Sequence, residues 1–355
     1  MLKVGIVGCG NIAYSCHLAA YTGNSDVQVA ALCDINPKQF KRFENKLGKK
    51  PKYTDYREMI EREELDFVDI CTPNYLHAEI AIFAMEHGLH AFSEKPDTIS
   101  VEDALKMKET QERTGRHLMV MRNNRYWYST KVLKKMIENG EFGEIYTGRC
   151  GWIRRRGIPG KGGWFTTKSQ SGGGPLIDLG VHMIDLAIYL MGNPRAVSVT
   201  GSTYTKFADD DAKQDSVHAN FGQAVAGGTF DVEDLATGFI KFENGASLQI
   251  EFSWASNIEK EKNFVELRGT KLGVTWEDGL YTLYNGGPVN KFKDKLCKTQ
   301  QAKHNTNIHK QNLLHFMDVI NGRAAPDFVI DQGVNMIKIL CGIYESARTG
   351  REVLL

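Results

Sequence analysis

Val4-Gly5-Ile6-Val7-Gly8-Cys9-Gly10-Asn11-Ile12-Ala13 joins a short apolar run to a Gly-x-Gly-x-x-Ala turn near the start of a 355-residue chain. A continuous apolar run of this length fits a parallel strand buried on both faces. The sequence then predicts a helix from about Ile12 to Ala20. Gly8 permits the tight turn, Gly10 lets the backbone approach a pyrophosphate, and Ala13 allows close helix–strand packing. The free N–H groups from Asn11 and Ile12 onward would hold phosphate oxygens. Alone, such a pattern also fits a βα turn without a ligand; the strand before it and the helix after it favour a dinucleotide.

Working outward, Val27 to Cys33 reads as a second buried strand. Asp34, at its end, stands at the distance from the loop expected of a carboxylate that accepts from the adenosine ribose hydroxyls. It would repel a 2′-phosphate, which favours NAD; nearby Lys38 keeps NADP open. A helix-capping role also fits Asp34. Further strands are predicted at Phe67–Cys71, His90–Phe92 and His117–Met121, with helices at Leu76–His87 and Val101–Thr114. Such alternation predicts a doubly wound parallel sheet with ligands beyond the carboxyl ends of its strands. Asp34, Thr72, Glu94 and Asn123 all follow strand ends.

The pattern changes after about residue 125. A helix near Lys131–Asn139 precedes strands near Ile145–Trp152 and Ala196–Tyr204. Phe239–Glu243 and Ala246–Phe252 flank Asn244-Gly245, a hairpin signal. Phe264–Leu267, Gly273–Trp276 and Leu280–Tyr284 continue the strands, and Asn312–Asn321 and Gln332–Arg348 read as closing helices. The expected organisation is α/β throughout. Residues 1–124 form a Rossmann domain. Residues 125–355 form a second α/β domain on a large, mostly antiparallel sheet. Thr205–Gly228, polar and rich in Gly and Ala, reads as a mobile loop.

Composition narrows the class. The chain is 42% hydrophobic and 25% charged, enough for sizeable cores. A formal net charge of +1 gives no bulk attraction to nucleic acid or an anionic membrane. Seven scattered cysteines, none in a C-x-x-C pair, read as reduced thiols. No uninterrupted apolar run reaches membrane-spanning length, and Met1 leads directly into the first strand. The expected location is the cytoplasm.

Two segments carry chemistry. Glu94-Lys95-Pro96 follows a strand end, where the lysine ammonium could stabilise a developing alkoxide; a surface lysine before a proline is the plainer alternative. The second is Gly172-Gly173-Gly174-Pro175-Leu176-Ile177-Asp178-Leu179-Gly180-Val181-His182-Met183-Ile184-Asp185. Pro175 suits a first helical position, and Asp178 and His182 fall at i and i+4 on one face of an otherwise apolar helix. Histidine is the natural proton acceptor near neutral pH. A buried structural Asp–His pair fits the same spacing. D-x-x-x-H also offers two metal ligands, but no third with convincing spacing follows, so no metal is expected. Trp152, Arg154, Arg156, Trp164 and Phe165 precede this helix. Arg156 and Trp164 are the substrate-binding candidates beside Lys95, Asp178 and His182, with a solvated charge run as the alternative for the arginines.

These motifs together resemble the glucose–fructose oxidoreductase and inositol dehydrogenase (Gfo/Idh/MocA) family. The carriers are Gly8-x-Gly10-x-x-Ala13, Thr72-Pro73-Asn74-x-x-His77, Glu94-Lys95-Pro96, and Gly173-Gly174 followed by Asp178-x-Gly180-x-His182. They span nearly the whole chain in matching order; Ala13 in place of a third glycine is the one departure. The resemblance implies an NAD(P) cofactor held by Gly8, Gly10, Asn11, Ile12, Asp34, Thr72, Asn74, His77, Glu94, Lys95 and Asn123. It also implies a Lys95–Asp178–His182 catalytic set, a sugar or inositol alcohol as substrate, and dimers or tetramers formed through an open sheet. Three activities fit: an NAD-dependent dehydrogenase, an enzyme that cleaves glycosides through transient ring oxidation, and a non-catalytic dinucleotide sensor.

Overall fold

The structure, a computed structural model, describes residues 1–216, 222–286, 292–293 and 307–355. Residues 217–221 of the Thr205–Gly228 loop, and Cys297, lie outside these. The chain divides into two compact units, residues 1–123 with 306–337, and residues 124–305 with 338–355.

In the first unit, β1 (Leu2–Val7), β2 (Val27–Cys33), β3 (Lys52–Tyr53), β4 (Phe67–Ile70), β5 (His90–Ser93) and β6 (Leu118–Val120) form a parallel sheet of order 3-2-1-4-5-6. The chain winds outward from β1 one way to β3 and the other way to β6. The carboxyl ends of β1 and β4 flank the reversal, where such sheets bind ligands. All four residues of β4 are buried, as a central parallel strand requires. One core cluster contains Val4, Ile6, Phe43, Phe67 and Phe92; a second contains Val68, Ile70, Ile80, Ala81 and Met107.

The helix Ile308–Ile320 belongs to this unit, not to the second domain where the division at residue 124 places it. Its Leu313, Phe316 and Met317 repeat at helical spacing and enter the first core cluster, with Phe316 against Phe67 and Phe92. Burying Phe316 fully contributes about 2–3 kcal/mol. The helix predicted over 12–20 is also different in kind. A π-helical turn, Ala13–His17, comes first and runs into α1, Leu18–Tyr21. The widened turn accompanies complete burial of His17.

Among the described residues the second unit has nine strands: β7 (Ile145–Ile153), β8 (Ala196–Tyr204), β9 (Leu235–Phe242), β10 (Ser247–Ser253), β11 (Lys262–Gly269), β12 (Gly273–Glu277), β13 (Leu280–Tyr284), β14 (Phe292–Lys293) and β15 (Val353–Leu354). The Asn244-Gly245 hairpin joins β9 to β10, with Gly245 at φ 85°. Among the described strands every pairing is antiparallel except one: β7 and β10 run parallel. Their carboxyl ends therefore emerge together. A π-helical turn, Leu176–Gly180, and the helix Val181–Leu190 lie against β7, β10 and β11. By length and composition the stretch Lys168–Leu190 could cross a membrane, but 89% of its most apolar 18 residues are buried in the unit, so it is part of the core.

Candidate active site

The phosphate loop is shaped by contacts that only glycine allows. Gly8 has φ 92°, and its N–H donates to Cys33 O at 2.8 Å. A Cβ there would stand 2.5 Å from Cys71 O. Gly8→Ala is expected to cost the first unit about 2 kcal/mol or more, through strain and collision together. Denaturant unfolding followed by circular dichroism checks this, and dinucleotide affinity should fall with it. A Cβ on Gly10, by contrast, would meet nothing within 4 Å, so the backbone there is open to close approach. Ala13 is fully buried, as tight packing requires.

Asp34 is held against the loop. Its Oδ2 accepts from Cys9 N at 2.8 Å and its Oδ1 from Asn36 N at 2.7 Å. A carboxylate has about four lone-pair sites, which leaves room for ribose hydroxyls. Asn36, not Asp34, caps the next helical turn, with Oδ1 accepting from Lys38 N. Arg42 escaped the sequence analysis. It donates to Asn11 Oδ1 at 2.7 Å and to Cys9 O at 2.6 Å, bracing the loop from α2 (Phe40–Leu47). Two buried polar atoms at strand ends have no partner among the described residues: Thr72 Oγ1 and Asn123 Oδ1. An open Gly10, an acceptor at Asp34 and these orphaned groups fit a dinucleotide.

Beyond β5 the Lys95–Pro96 peptide is cis, and Lys95 is half-buried. Two residues predicted to bind cofactor instead face inward. His77 is fully buried, with Nδ1 2.7 Å from Pro96 O and Nε2 2.9 Å from Thr72 O. Burial pushes its pKa below the ordinary value, the two carbonyls work against that, and the ring ties the two loops together. Glu94 is also buried: Oε1 meets His17 Nε2 at 2.7 Å and Oε2 accepts from Lys95 N at 3.1 Å. Asn74 is buried at the start of a 3-10 turn. Asn123 Nδ2 lies 3.2 Å from Nε2 of His309, on the Ile308–Ile320 helix. His309 is a second residue the motifs did not show; burial lowers its pKa to about 4.

In the second unit the parallel ends of β7 and β10 deliver side chains onto the Asp178–His182 segment. Trp254, just after β10, donates Nε1–H to Asp178 Oδ2 at 3.0 Å. The Trp152 ring of β7 is 6.0 Å from the His182 ring, tilted by 55°. Arg154, just past β7, is buried and lies 5.0 Å over Trp152. Burial lowers its pKa, opposed by the charge of Asp178. The helix itself is anchored midway along and at its start. Asp185 pairs with Arg125 at 2.6 and 2.9 Å. Glu233 accepts from Gly174 N at 2.9 Å, Leu176 N at 3.1 Å and Tyr344 Oη at 2.9 Å. The paired glycines follow from this: a Cβ on Gly173 would lie 2.0 Å from Tyr344 Oη, and one on Gly174 2.0 Å from Glu233 O.

Of the predicted substrate residues, Arg156 turns away. Its guanidinium donates to Arg155 O, Ser256 O and Asn257 Oδ1 and lies 3.2 Å from Asp210. Arg154 is the arginine beside Asp178. Trp164 stacks on Phe165 at 3.8 Å in the loop that follows.

Comparison with known proteins agrees with this architecture. Residues 2–122 match an oxidoreductase family with an NAD-binding Rossmann fold, and residues 130–275 match the Gfo/Idh/MocA C-terminal domain. D-glucoside 3-dehydrogenase of Escherichia coli (strain K12) is 32% identical over 356 residues, spanning 100% of this chain and 97% of that protein. Levoglucosan dehydrogenase of Pseudarthrobacter phenanthrenivorans is 29% identical over 287 residues, 78% of this chain and 73% of that protein. The solved WlbA dehydrogenase of Bordetella pertussis, in complex with NADH and UDP-GlcNAcA, shares the fold, with a TM-score of 0.82 at 23% identity over 100% of this chain and 97% of that one. The chain therefore belongs to the Gfo/Idh/MocA family of NAD-dependent oxidoreductases, and its first unit is an NAD-binding Rossmann domain.

Proposed function

We propose that this chain oxidises a secondary ring hydroxyl of a pyranose sugar or glycoside, with His182 as general base, Lys95 as alkoxide stabiliser and Asp178 as the group that orients the hydroxyl. The observation that carries this is Asp178 hydrogen-bonded to Trp254, with His182 against Trp152 and Arg154 over that same ring. Indole faces suit the apolar C–H face of a sugar ring, while a carboxylate, an imidazole and a buried guanidinium match its hydroxyls. The named activities of the glucoside and levoglucosan dehydrogenases support the same substrate class.

Bound NAD⁺ supplies a hydride acceptor. The chain supplies the proton acceptor and the charge. His182 takes the hydroxyl proton, and Lys95 donates to the oxygen as negative charge builds on it. The test is incubation with NAD⁺ and D-glucosides, anhydrosugars, free aldoses, uronic acids and inositols, following NADH absorbance. Steady accumulation of NADH with a glucoside or anhydrosugar is the expected result. Glycoside cleavage without accumulated NADH would replace this reading with transient oxidation. Dinucleotide binding with no substrate consumed would replace it with a sensor.

The cofactor preference rests on Asp34. Asp34→Ser is expected to raise the Kd for NAD⁺ about tenfold or more, the range for losing hydrogen bonds to a charged group. The NADP⁺ affinity should stay level or improve, which fluorescence titration with both dinucleotides checks. The same reading has the chain working as a homodimer or homotetramer, which sedimentation equilibrium tests.

A further inference from the structure

A deeply buried charged cluster of the first unit reaches the backbone N–H of Lys95. His17, which ends the π-helical turn after the phosphate loop, has no solvent exposure. Its Nδ1 is 2.9 Å from Asp69 Oδ1 and 3.0 Å from Oδ2, and its Nε2 is 2.7 Å from Glu94 Oε1. Tyr21 Oη donates to Asp69 Oδ2 at 2.7 Å, and Cys71 Sγ lies 3.4 Å from Nδ1. A neutral imidazole has one N–H, so carboxylates on both nitrogens call for a doubly protonated ring. His17, Asp69 and Cys71 are also close enough together to suggest a metal site. Two ligand atoms around zinc would, however, stand about 3.4 Å apart. The contacts to Asp69 and Glu94 are shorter, at hydrogen-bond length.

These bonds form a continuous path. The turn that presents the phosphate loop ends in His17; His17 holds Glu94 Oε1; Glu94 Oε2 holds the backbone N–H of Lys95. We propose that His17 is a positioning residue: as a buried imidazolium bridging Asp69 of β4 and Glu94 beyond β5, it fixes the Glu94–Lys95 backbone and so aims Lys95. The inference rests on the role of Lys95 given under Proposed function.

A consequence for pH follows. Glu94 is held down to about 2, the burial cost being overcome by His17. The groups facing it are His17 and Cys16 from the π turn, Cys71 after β4, His77 from α3 (His77–Glu86), His309 from the Ile308–Ile320 helix, and neighbouring Lys95, with Asp69 of β4 on the other nitrogen of His17. His77 and His309 are held below the usual histidine value by burial, so His17 is the cation bonded to the Glu94 carboxylate. Without it, burial drives Glu94 toward its protonated form within the working pH range.

The experiment uses the full chain as wild type, His17→Gln, Glu94→Gln and the double variant. Nitrogen-15 spectra of the histidines at pH 8 are expected to show one ring with both nitrogens protonated, absent from His17→Gln. His17→Gln should lower kcat about 10- to 100-fold, the cost of slight misplacement of a reacting group. KM for NAD⁺ and for sugar should stay within about threefold of wild type, because the groups that bind them remain. Its kcat should gain a second acid limb beyond the one that His182 as general base gives every form, and the double variant should lack that second limb. Glu94→Gln should match the loss, and the double variant should lose no more than either single one. A neutral His17 at pH 8 would overturn the proposal, as would wild-type kcat and pH profile in His17→Gln, or losses that multiply in the double variant. If His17→Gln does not fold, the wild-type spectrum and the kcat-against-KM split of Glu94→Gln decide it. If wild type oxidises no sugar, the role falls with the functional reading even where the imidazolium is seen; if Lys95→Met is inactive and His17→Gln is not, only the positioning role falls.

Discussion

Lys95→Met and His182→Ala are each expected to cut kcat by about 10²- to 10⁴-fold, while the Kd for NAD⁺ changes by no more than a few-fold. Both magnitudes follow from the chemistry. Losing a general base or a preorganised donor to an oxyanion typically removes at least two orders of magnitude. On the proposed reading, dinucleotide affinity lies elsewhere, on the Gly8–Gly10 turn, Asp34 and the strand-end groups. Methionine keeps most of the length and apolar stem of Lys95, so the loss reports the ammonium. Alanine at the half-buried His182 leaves Asp178 on Trp254, so the loss reports the imidazole. The two variants should also differ from each other. His182→Ala should recover partly as pH rises and hydroxide takes over proton removal; Lys95→Met should not. Steady-state kinetics and fluorescence titration across pH check both. Turnover that survives both substitutions would remove this pair from the mechanism.

What the sequence shows of this site is what short windows determine. A glycine at φ 92° and an Asn-Gly hairpin are local conformational needs, and each leaves a local mark. Asp34 is legible because one strand and one turn fix its distance from the loop. His17 and Glu94 are 77 residues apart, and Glu233 is 59 residues from the Gly174 it caps, so no motif spans either pair. Only the sheet order brings them together. The arginines fail for a different reason. Alternation along a strand would put Trp152, Arg154 and Arg156 on one face, but β7 ends at Ile153. Past that point the parity no longer holds, and Arg156 swings to Asp210. The Ile308–Ile320 helix was misplaced because an amphipathic stripe says which face is buried, not against which sheet. Both π-helical turns were invisible as well, since one extra residue per turn leaves the apolar spacing almost unchanged. Such turns are frequent at functional sites, and here they carry His17 and Asp178.

Glu233→Ala is expected to destabilise the second unit by about 3 kcal/mol and to lower kcat while leaving NAD⁺ affinity intact. The carboxylate serves two N–H groups at the start of the catalytic segment and the Tyr344 hydroxyl, all in a buried setting. Each donor left unsatisfied costs about 1–3 kcal/mol. The net loss is smaller than the sum, because burial already works against the charged carboxylate and holds its pKa above the ordinary 4.5. The sign of the pH dependence follows from that. A carboxyl raised on folding binds its proton more tightly in the folded chain than in the unfolded one. Its contribution is therefore full below about pH 4.5 and declines as pH rises through the folded-state value. Glu233→Ala should flatten that slope as well as lower the whole curve. The chain offers a clean readout, since its five tryptophans, Trp127, Trp152, Trp164, Trp254 and Trp276, all belong to the second unit. Urea unfolding followed by tryptophan fluorescence therefore reports that unit, and dinucleotide titration reports the first. A wild-type unfolding midpoint in Glu233→Ala, with wild-type turnover, would mean that packing, with the Asp185–Arg125 pair farther along the helix, holds the segment without the carboxylate.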